Sequence, residues 1–185
     1  MSGREAFAMK VDLSGFMAQM DADVVAIEAA ARPAAQAAAQ VLYDEVKRNV
    51  ARLKRHTGNL DRSIYQAFSK ENSGPGLATY HVSWNYRTAP HAGLVEYGHL
   101  QRYVTYQGSD GQIRLQVRPG MEGTSKPGRR ASQAQKDAYY VPLPGGPRQV
   151  AARPFIRPAV ARFEAAMGAA KAEFLAQLVR AGVTS

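Results

Sequence analysis

Apolar residues recur through residues 13–54 at the three- and four-residue spacings that place side chains on one side of an α-helix. Either Ser14 or Asp12 is suited to cap the start of this helix. Pro33 falls inside the pattern, and a proline removes a backbone hydrogen bond and clashes with the preceding turn. The pattern therefore predicts two consecutive helices with a kink or a break near Arg32. The members of the stripe are Phe16, Met20, Val24, Ile27, Ala31, Ala38, Val41, Val46, Val50 and Leu53.

Alternating residues rich in β-formers predict strands in the middle of the chain. Residues 63–70 and 77–84 flank the turn-forming stretch ENSGPG, which predicts an antiparallel hairpin. Residues 100–107 and 112–119 flank GSDG and predict a second hairpin. The stretch YYVPL is a candidate for one further strand that returns to the sheet.

Two more helices are predicted after the first hairpin. Residues 88–99 favour a brief helix, with Pro90 near its first turn and Gly98 at its end. A longer helix follows Pro158, and Gly182 is its stop signal. Its apolar stripe consists of Ile156, Val160, Phe163, Met167, Ala170, Phe174 and Leu178.

Positive charge is concentrated in one central segment of the chain. Residues 99–157 carry 10 Lys and Arg against 3 Asp and Glu, which is a net +7 of the total of +9. Such a segment favours nucleic acid or an acidic protein surface as a partner. Within it, residues 119–138 are polar and glycine-rich and predict a loop without regular structure. The length of 185 residues and the 45% hydrophobic content fit a single globular domain, residues 1–185.

Signatures of enzymes and of metal sites are scarce. The chain has no cysteine, which excludes disulfides and thiolate metal sites, and it has no HExxH, GxSxG, GxGxxG or P-loop motif. His91 and His99 flank Glu96, but loop geometry alone is weak support for zinc. We expect no catalytic residue, no cofactor and no metal, although a catalytic carboxylate pair is left open. The first residues lack a continuous apolar core, and no apolar run approaches the ~18 residues of a membrane span, so neither a signal peptide nor a membrane is expected.

Three local patterns occur together in a characteristic order. TGNLDRSI follows the long helix at 57–64, APHAGLVEYGH lies at 89–99, and ARPFIRPAV at 152–160 precedes the last helix. In this order and spacing the chain resembles the tail-completion and neck proteins of tailed bacteriophages, the group that includes minor tail protein Z. The resemblance covers most of residues 35–180. Residues 1–32 then form an N-terminal helical extension, and residues 99–150 form a basic hairpin and loop insertion.

This resemblance implies an α+β fold, in which a long N-terminal helix and a C-terminal helix pack on a small antiparallel sheet. It also implies a structural virion protein, assembled in the cytoplasm of the bacterial host, that joins the tail to the head connector without catalysis. The expected partners are other copies in a homo-oligomeric ring, with a hexamer favoured over a dodecamer, and neighbouring neck proteins such as the connector or stopper, the tail terminator or the tail tube. Contact with genomic DNA in the channel would be nonspecific.

The physical chemistry of the motif residues supports structural roles for them. Gly58 and Gly98 are expected to allow a positive φ or a close backbone approach, and Glu96 to tether a neighbouring backbone or an arginine. Pro154 and Pro158 are expected to fix the entry angle of the last helix, with Phe155 as an apolar wedge. The complete motif set is Thr57, Gly58, Leu60, Ser63, Glu96, Gly98, Pro154, Phe155 and Pro158.

Other functions remain open from the residues alone. Tyr103 and Tyr106 are interleaved with arginines in the basic segment, a pattern that is used to hold single-stranded nucleic acid, and composition alone would favour that function. A small hydrolase of unrecognised type is a third alternative. The candidates for a subunit interface or a DNA-facing surface are Ala35, Ala38, Arg102, Arg114, Arg118, Lys126, Arg129 and Arg130.

Overall fold

The structure is a computed structural model that describes residues 12–53 and 58–183, so Thr57 lies outside the described residues. The fold is α+β, with a long N-terminal helix, a C-terminal helix and small two-stranded sheets between them in sequence. The helices are α1 Ser14–Ala51, α2 Asn59–Ser63, α3 Ala92–Tyr97, α4 Gln133–Tyr139 and α5 Phe163–Arg180, with 3-10 turns at Lys70–Asn72 and Arg157–Arg162. The strands are β1 Ile64–Phe68, β2 Tyr80–Trp84, β3 His99–Gln101, β4 Thr105–Gln107, β5 Ile113–Leu115 and β6 Arg148–Val150.

The described strands form three separate two-stranded sheets rather than one. β1 pairs with β2, and β4 pairs with β5 in antiparallel register, so both predicted hairpins are confirmed. The third pair was not predicted: β3 and β6 are antiparallel, with Leu100 opposite Gln149. YYVPL contributes isolated bridges at Tyr140 and Pro142 instead of a strand. No helix among residues 12–53 and 58–183 has the length and apolar content needed to span a membrane.

α1 is continuous from Ser14 to Ala51 and contains Pro33, so of the two expected outcomes near Arg32 the break into two helices is wrong, while the kink stays a prediction. A proline costs a helix roughly 3 kcal/mol, mostly through one missing hydrogen bond and one clash. In a helix of 38 residues with alanines on both sides of the proline, the favourable helix propensity of the neighbours offsets this cost. The backbone N–H of Ser14 donates to Asp12 Oδ1 at 3.0 Å at the start of the helix.

The predicted loop at 119–138 is also wrong in part, because its last six residues belong to α4. Ser132 caps this helix through a capping box: its hydroxyl accepts from the Gln135 N–H, and the Gln135 side chain accepts from the Ser132 N–H. A capping box stabilises even a helix of two turns. The sequence pattern did not predict this helix because the segment contains few hydrophobic residues. Met121, earlier in the same segment, packs against a cluster of Tyr103, Tyr139 and Tyr140.

The described residues form two compact units. The larger unit contains residues 42–53, 58–66 and 82–163, and Phe155 is completely buried in its core. The Phe155 ring meets the Trp84 ring edge-on, with 5.9 Å between centroids. The remaining buried members of this core are Val46, Val50, Ile64, Ala89, Ala92 and Ala159.

The smaller unit contains residues 12–41, 67–81 and 164–183. Its buried apolar residues are mostly small: Ala30, Ala34, Ala39, Ala166 and Leu178. The Arg32 guanidinium lies over the Phe68 ring at 4.3 Å, and Phe68 in turn contacts Tyr80 with 5.4 Å between ring centroids. The contact of an arginine with an aromatic face is favourable but contributes only modestly to stability. With few large buried side chains beside it, this unit has a small hydrophobic core.

Gly58 supplies a first testable prediction, since it precedes α2 with φ of 73° and ψ of 2°, in the left-handed region. An added Cβ would meet no atom closer than Arg62 Nη1 at 3.9 Å, so the strain of Gly58→Ala lies in the backbone alone. We expect the free energy of unfolding, measured by urea denaturation, to fall by about 1 kcal/mol.

Gly128→Ala is the matched control, because Gly128 lies outside the left-handed region and faces open space. It should leave the free energy of unfolding unchanged or raise it by a few tenths of a kcal/mol, roughly as expected for an unstrained site. Equal effects of the two substitutions would contradict the assigned role of Gly58.

Candidate functional site

Glu96 is a completely buried carboxylate in the last turn of α3. Its Oε2 accepts hydrogen bonds from the backbone N–H of Phe155 at 2.6 Å and of Ile156 at 3.0 Å. Its Oε1 accepts from the backbone N–H of Arg157 at 3.0 Å and from Arg157 Nε at 3.1 Å. One side chain therefore satisfies three successive N–H groups at the entry to the last helical segment. We call Glu96 with residues 155–157 the Glu96 clasp.

The Arg157 side chain makes further contacts with the end of α3. Its Nη2 donates to the backbone carbonyl of Glu96 at 2.6 Å, and its guanidinium lies 5.2 Å from the centre of the Tyr97 ring. The Arg153 N–H donates to the Val95 carbonyl at 2.8 Å, which adds a backbone contact between the same two segments. Both kinds of partner that the sequence suggested for Glu96, a backbone and an arginine, are present.

Two other residues hold the clasp in place. Gly98 has φ of 73°, and a Cβ there would lie 2.7 Å from the Val150 carbonyl oxygen and 2.9 Å from the Ala152 N. The chain can therefore leave α3 and start β3 beside β6 only with glycine at this position. Asn49 on α1 donates from Nδ2 to the Phe155 carbonyl at 3.1 Å and is itself buried. Sequence reasoning missed Asn49, whose signal is a polar residue between the buried Val46 and Val50.

The protonation of Glu96 follows from these contacts. Burial raises the pKa of the Glu96 carboxyl, but hydrogen bonds from the Phe155, Ile156 and Arg157 N–H groups and from the Arg157 side chain outweigh burial. The pKa therefore lies below its ordinary value. The carboxylate stays ionised, and its two oxygens are occupied by backbone, which is the arrangement of a structural tether.

The remaining motif residues lie near this site or frame it. Ser63 is buried, and its hydroxyl donates to the Leu60 carbonyl at 2.7 Å. Leu60 is half-buried and packs against the core that contains Phe155. Pro154 is exposed just before the clasp, and Pro158 is exposed in the first turn of the 3-10 segment that leads into α5.

The basic residues of the insertion separate into two groups. Arg118 is engaged within the chain, since its Nε donates to the Asp137 carbonyl at 2.9 Å and the Tyr140 carbonyl at 3.2 Å. Arg114 pairs with Asp110 at 2.6 Å. By contrast, Arg102, Lys126, Arg129 and Arg130 are exposed, and within the described residues the last three have no side-chain hydrogen bond or ion pair.

The tyrosines of the insertion argue against a base-stacking surface. Tyr103 is buried, its hydroxyl donates to Asp137 Oδ1 at 2.8 Å, and Gln133 Nε2 donates to both groups at 2.7 Å. Burial and the contact with Asp137 raise the pKa of Tyr103 above its ordinary value. Of the two tyrosines that the sequence suggested for stacking on nucleic acid, only Tyr106 is exposed.

The first half of α1 presents an apolar face to solvent. Five apolar side chains follow alternating four- and three-residue steps and are 42–58% exposed. They are Leu13, directly before the helix, and Met17, Met20, Val24 and Ile27 within it, and we call them the α1 seam. α5 also exposes Phe163, Met167, Leu175 and Val179. The apolar stripes that predicted these helices are therefore only partly buried. Ala35 and Ala38, the alanines singled out as an interface, are half-buried.

The comparisons with known proteins bear on the first half of the chain. Residues 14–98 match the model of a family described as "Bacteriophage HK97-gp10, putative tail-component". The matched part is slightly less than half of the 185 residues and runs from α1 to Gly98. It includes Glu96, the first of the three sequence motifs and all but the last residue of the second. No curated protein and no solved structure matches the chain. The match supports the phage-tail part of the resemblance.

The clasp generates a prediction about Glu96→Gln. A glutamine has one acceptor oxygen and brings an NH₂ group against backbone donors, so buried N–H groups lose their partners. We expect the free energy of unfolding at pH 7 to fall by about 3 kcal/mol. Because the folded pKa of Glu96 is lowered, its stabilisation is present above the unfolded pKa of about 4.3 and is lost as the pH falls through the folded value. The deficit of the variant should therefore shrink at acidic pH.

Urea denaturation at a series of pH values measures this deficit. Glu71→Gln removes the same charge from an exposed position and should change the free energy of unfolding by less than about 0.5 kcal/mol. A Glu96→Gln deficit that stays constant between neutral and strongly acidic pH would show that the carboxylate charge does not hold the clasp.

Proposed function

We propose that this chain is a structural protein of a tailed-bacteriophage virion, a ring-forming tail-completion or neck subunit that joins the tail to the head connector. The observation that carries the proposal is the match of residues 14–98 to a phage tail component. The site agrees with a structural role, because the completely buried carboxylate of Glu96 accepts hydrogen bonds from backbone N–H groups with both of its oxygens.

The exposed apolar side chains support assembly with neighbours. Contiguous apolar surface on a chain that works alone is uncommon, and larger patches mark contacts with other proteins. The α1 seam and the exposed side of α5 are such surfaces. In this proposal they are covered by other copies in a homo-oligomeric ring, with a hexamer favoured over a dodecamer. Ala35 and Ala38 extend the contact, because their small side chains allow a close approach.

The ring has two further kinds of neighbour in this proposal. Its two rims contact the connector or stopper on one side and the tail terminator or tail tube on the other. The exposed side chains of Lys126, Arg129 and Arg130 bind an acidic surface of a neighbour. The symmetry of the ring multiplies their positive charge by the number of subunits. Genomic DNA that passes through the channel is one such surface, and it would be contacted nonspecifically through its phosphates.

The position of the subunit in the particle tests the proposal. Because the chain has no cysteine, Glu71→Cys introduces a single exposed thiol that takes a maleimide-linked gold cluster. Electron microscopy of virions carrying this variant should show gold at the head–tail junction. Virions with the unaltered chain, treated with the same reagent, control for thiols of other proteins. Gold at the tail tip, along the tube, or absent from particles would overturn the proposal.

A further inference from the structure

The α1 seam has the spacing of a helix that packs against another element. Apolar side chains at alternate four- and three-residue steps are the buried positions of coiled coils. The same steps continue along α1 through Ala31 and Ala34, and Ala34 is buried. The apolar stripe is therefore buried where its side chains are small and exposed to solvent where they are large. The exposed part, from Leu13 to Ile27, is about 22 Å long at 1.5 Å per residue.

The charge beside the seam restricts what can cover it. Residues 12–31 contain four acidic side chains, Asp12, Asp21, Asp23 and Glu28, and no lysine or arginine. Asp21 and Asp23 directly adjoin the seam residues Met20 and Val24. A second α1 seam would bring like charges together, which disfavours a symmetric pairing. DNA is excluded from this face for the same reason. The occupant must be both apolar and basic.

The β4–β5 ribbon is apolar on one side and lies within a basic segment of the chain. All six of its residues are exposed. Thr105 lies opposite Leu115, and Gln107 lies opposite Ile113, so Ile113 and Leu115 share one side of the ribbon. They are 58% and 39% exposed. Residues 102–130, which contain the ribbon, carry six Lys and Arg against two Asp and Glu.

We propose that the α1 seam of one copy docks on the Ile113–Leu115 side of the β4–β5 ribbon of a second copy. The inference rests on the proposed function and specifies which surfaces form the ring. The two surfaces differ, so the contact is heterologous: every copy offers a seam to one neighbour and a ribbon to the other. Repetition of such a contact closes a ring when the rotation between neighbouring copies divides a full turn, whereas a seam-to-seam contact would stop at a dimer. Acidic groups beside the seam then face Arg102 and the other exposed cations of the insertion.

Cysteine cross-linking of the purified full-length chain tests this contact, because the natural sequence contributes no thiol. One preparation carries Val24→Cys on the seam and another carries Leu115→Cys on the ribbon. A short bis-maleimide should give a cross-linked dimer when the two are mixed. Neither preparation alone should give a comparable yield. A mixture of Val24→Cys with Leu77→Cys is the matched control, because Leu77 is an apolar residue exposed by 60% outside the ribbon.

Charge reversal adds a second, independent arm. Asp21→Lys with Asp23→Lys in the Val24→Cys copy should reduce the cross-link yield severalfold. Arg129→Glu with Arg130→Glu in the Leu115→Cys copy should restore it, because these two arginines are exposed and have no side-chain partner within the described residues. High salt should lower the yield of the unreversed pair, since it screens the attraction.

Two results would overturn the inference. Efficient cross-linking of the Val24→Cys preparation with itself would show that the seam meets another seam. A mixed yield no higher than that of the Leu77→Cys control would show that the seam does not dock on the ribbon. These results are distinct from failure of the proposed function: gold away from the neck would overturn that role while a specific Val24–Leu115 cross-link still established the contact between copies.

Discussion

The Glu96 carboxylate is the interaction on which the larger unit depends. It accepts hydrogen bonds from the backbone N–H groups of residues 155–157. Without the carboxylate, these groups would lack hydrogen-bond partners next to the hydrophobic core. The same segment contributes the Phe155 side chain to that core, and the Phe155 carbonyl accepts a hydrogen bond from Asn49 on α1. Gly98, two residues after Glu96, lets the chain turn directly into β3 against β6. The buried charge thus connects α3 to the start of the last helical segment, and Asn49 connects that segment to α1. Such a charge is stable only because its hydrogen bonds replace the water it has lost.

The smaller unit buries small apolar side chains and exposes large ones. Its buried residues are largely alanines, while larger apolar side chains of α1 and α5 lie at the surface. Close packing of alanines brings helices together but buries little apolar area, and burial is the main favourable term in folding. Covering Met17, Met20 and Val24 with a neighbour would supply area that the chain does not bury alone. Assembly is therefore expected to stabilise this unit more than the larger one.

Local signals predicted much of the fold. Periodicity and turn residues identified α1, α3, α5 and both hairpins, since these patterns depend on residues close in sequence. The errors arose where local rules were overridden. Pro33 costs one hydrogen bond in a helix that has many others, and α4 depends on a capping box in a polar segment. The β3–β6 pair joins short strands about 50 residues apart, and no local pattern marks such a pairing. For Glu96 the sequence indicated a tether, but its contact with Arg157, 61 residues away, became evident only from the structure.

The central claim is that the apolar face of α1 is completed by a neighbour in the assembled particle. Methionine oxidation reports on this directly, because Met17 and Met20 are 58% and 49% exposed and peroxide converts accessible methionine to its sulfoxide. Mass spectrometry of the free chain and of intact virions, oxidised under the same conditions, compares the two states. The account predicts rapid oxidation of Met17 and Met20 in the free chain and strong protection in the virion. Equal oxidation rates in the two states would contradict it.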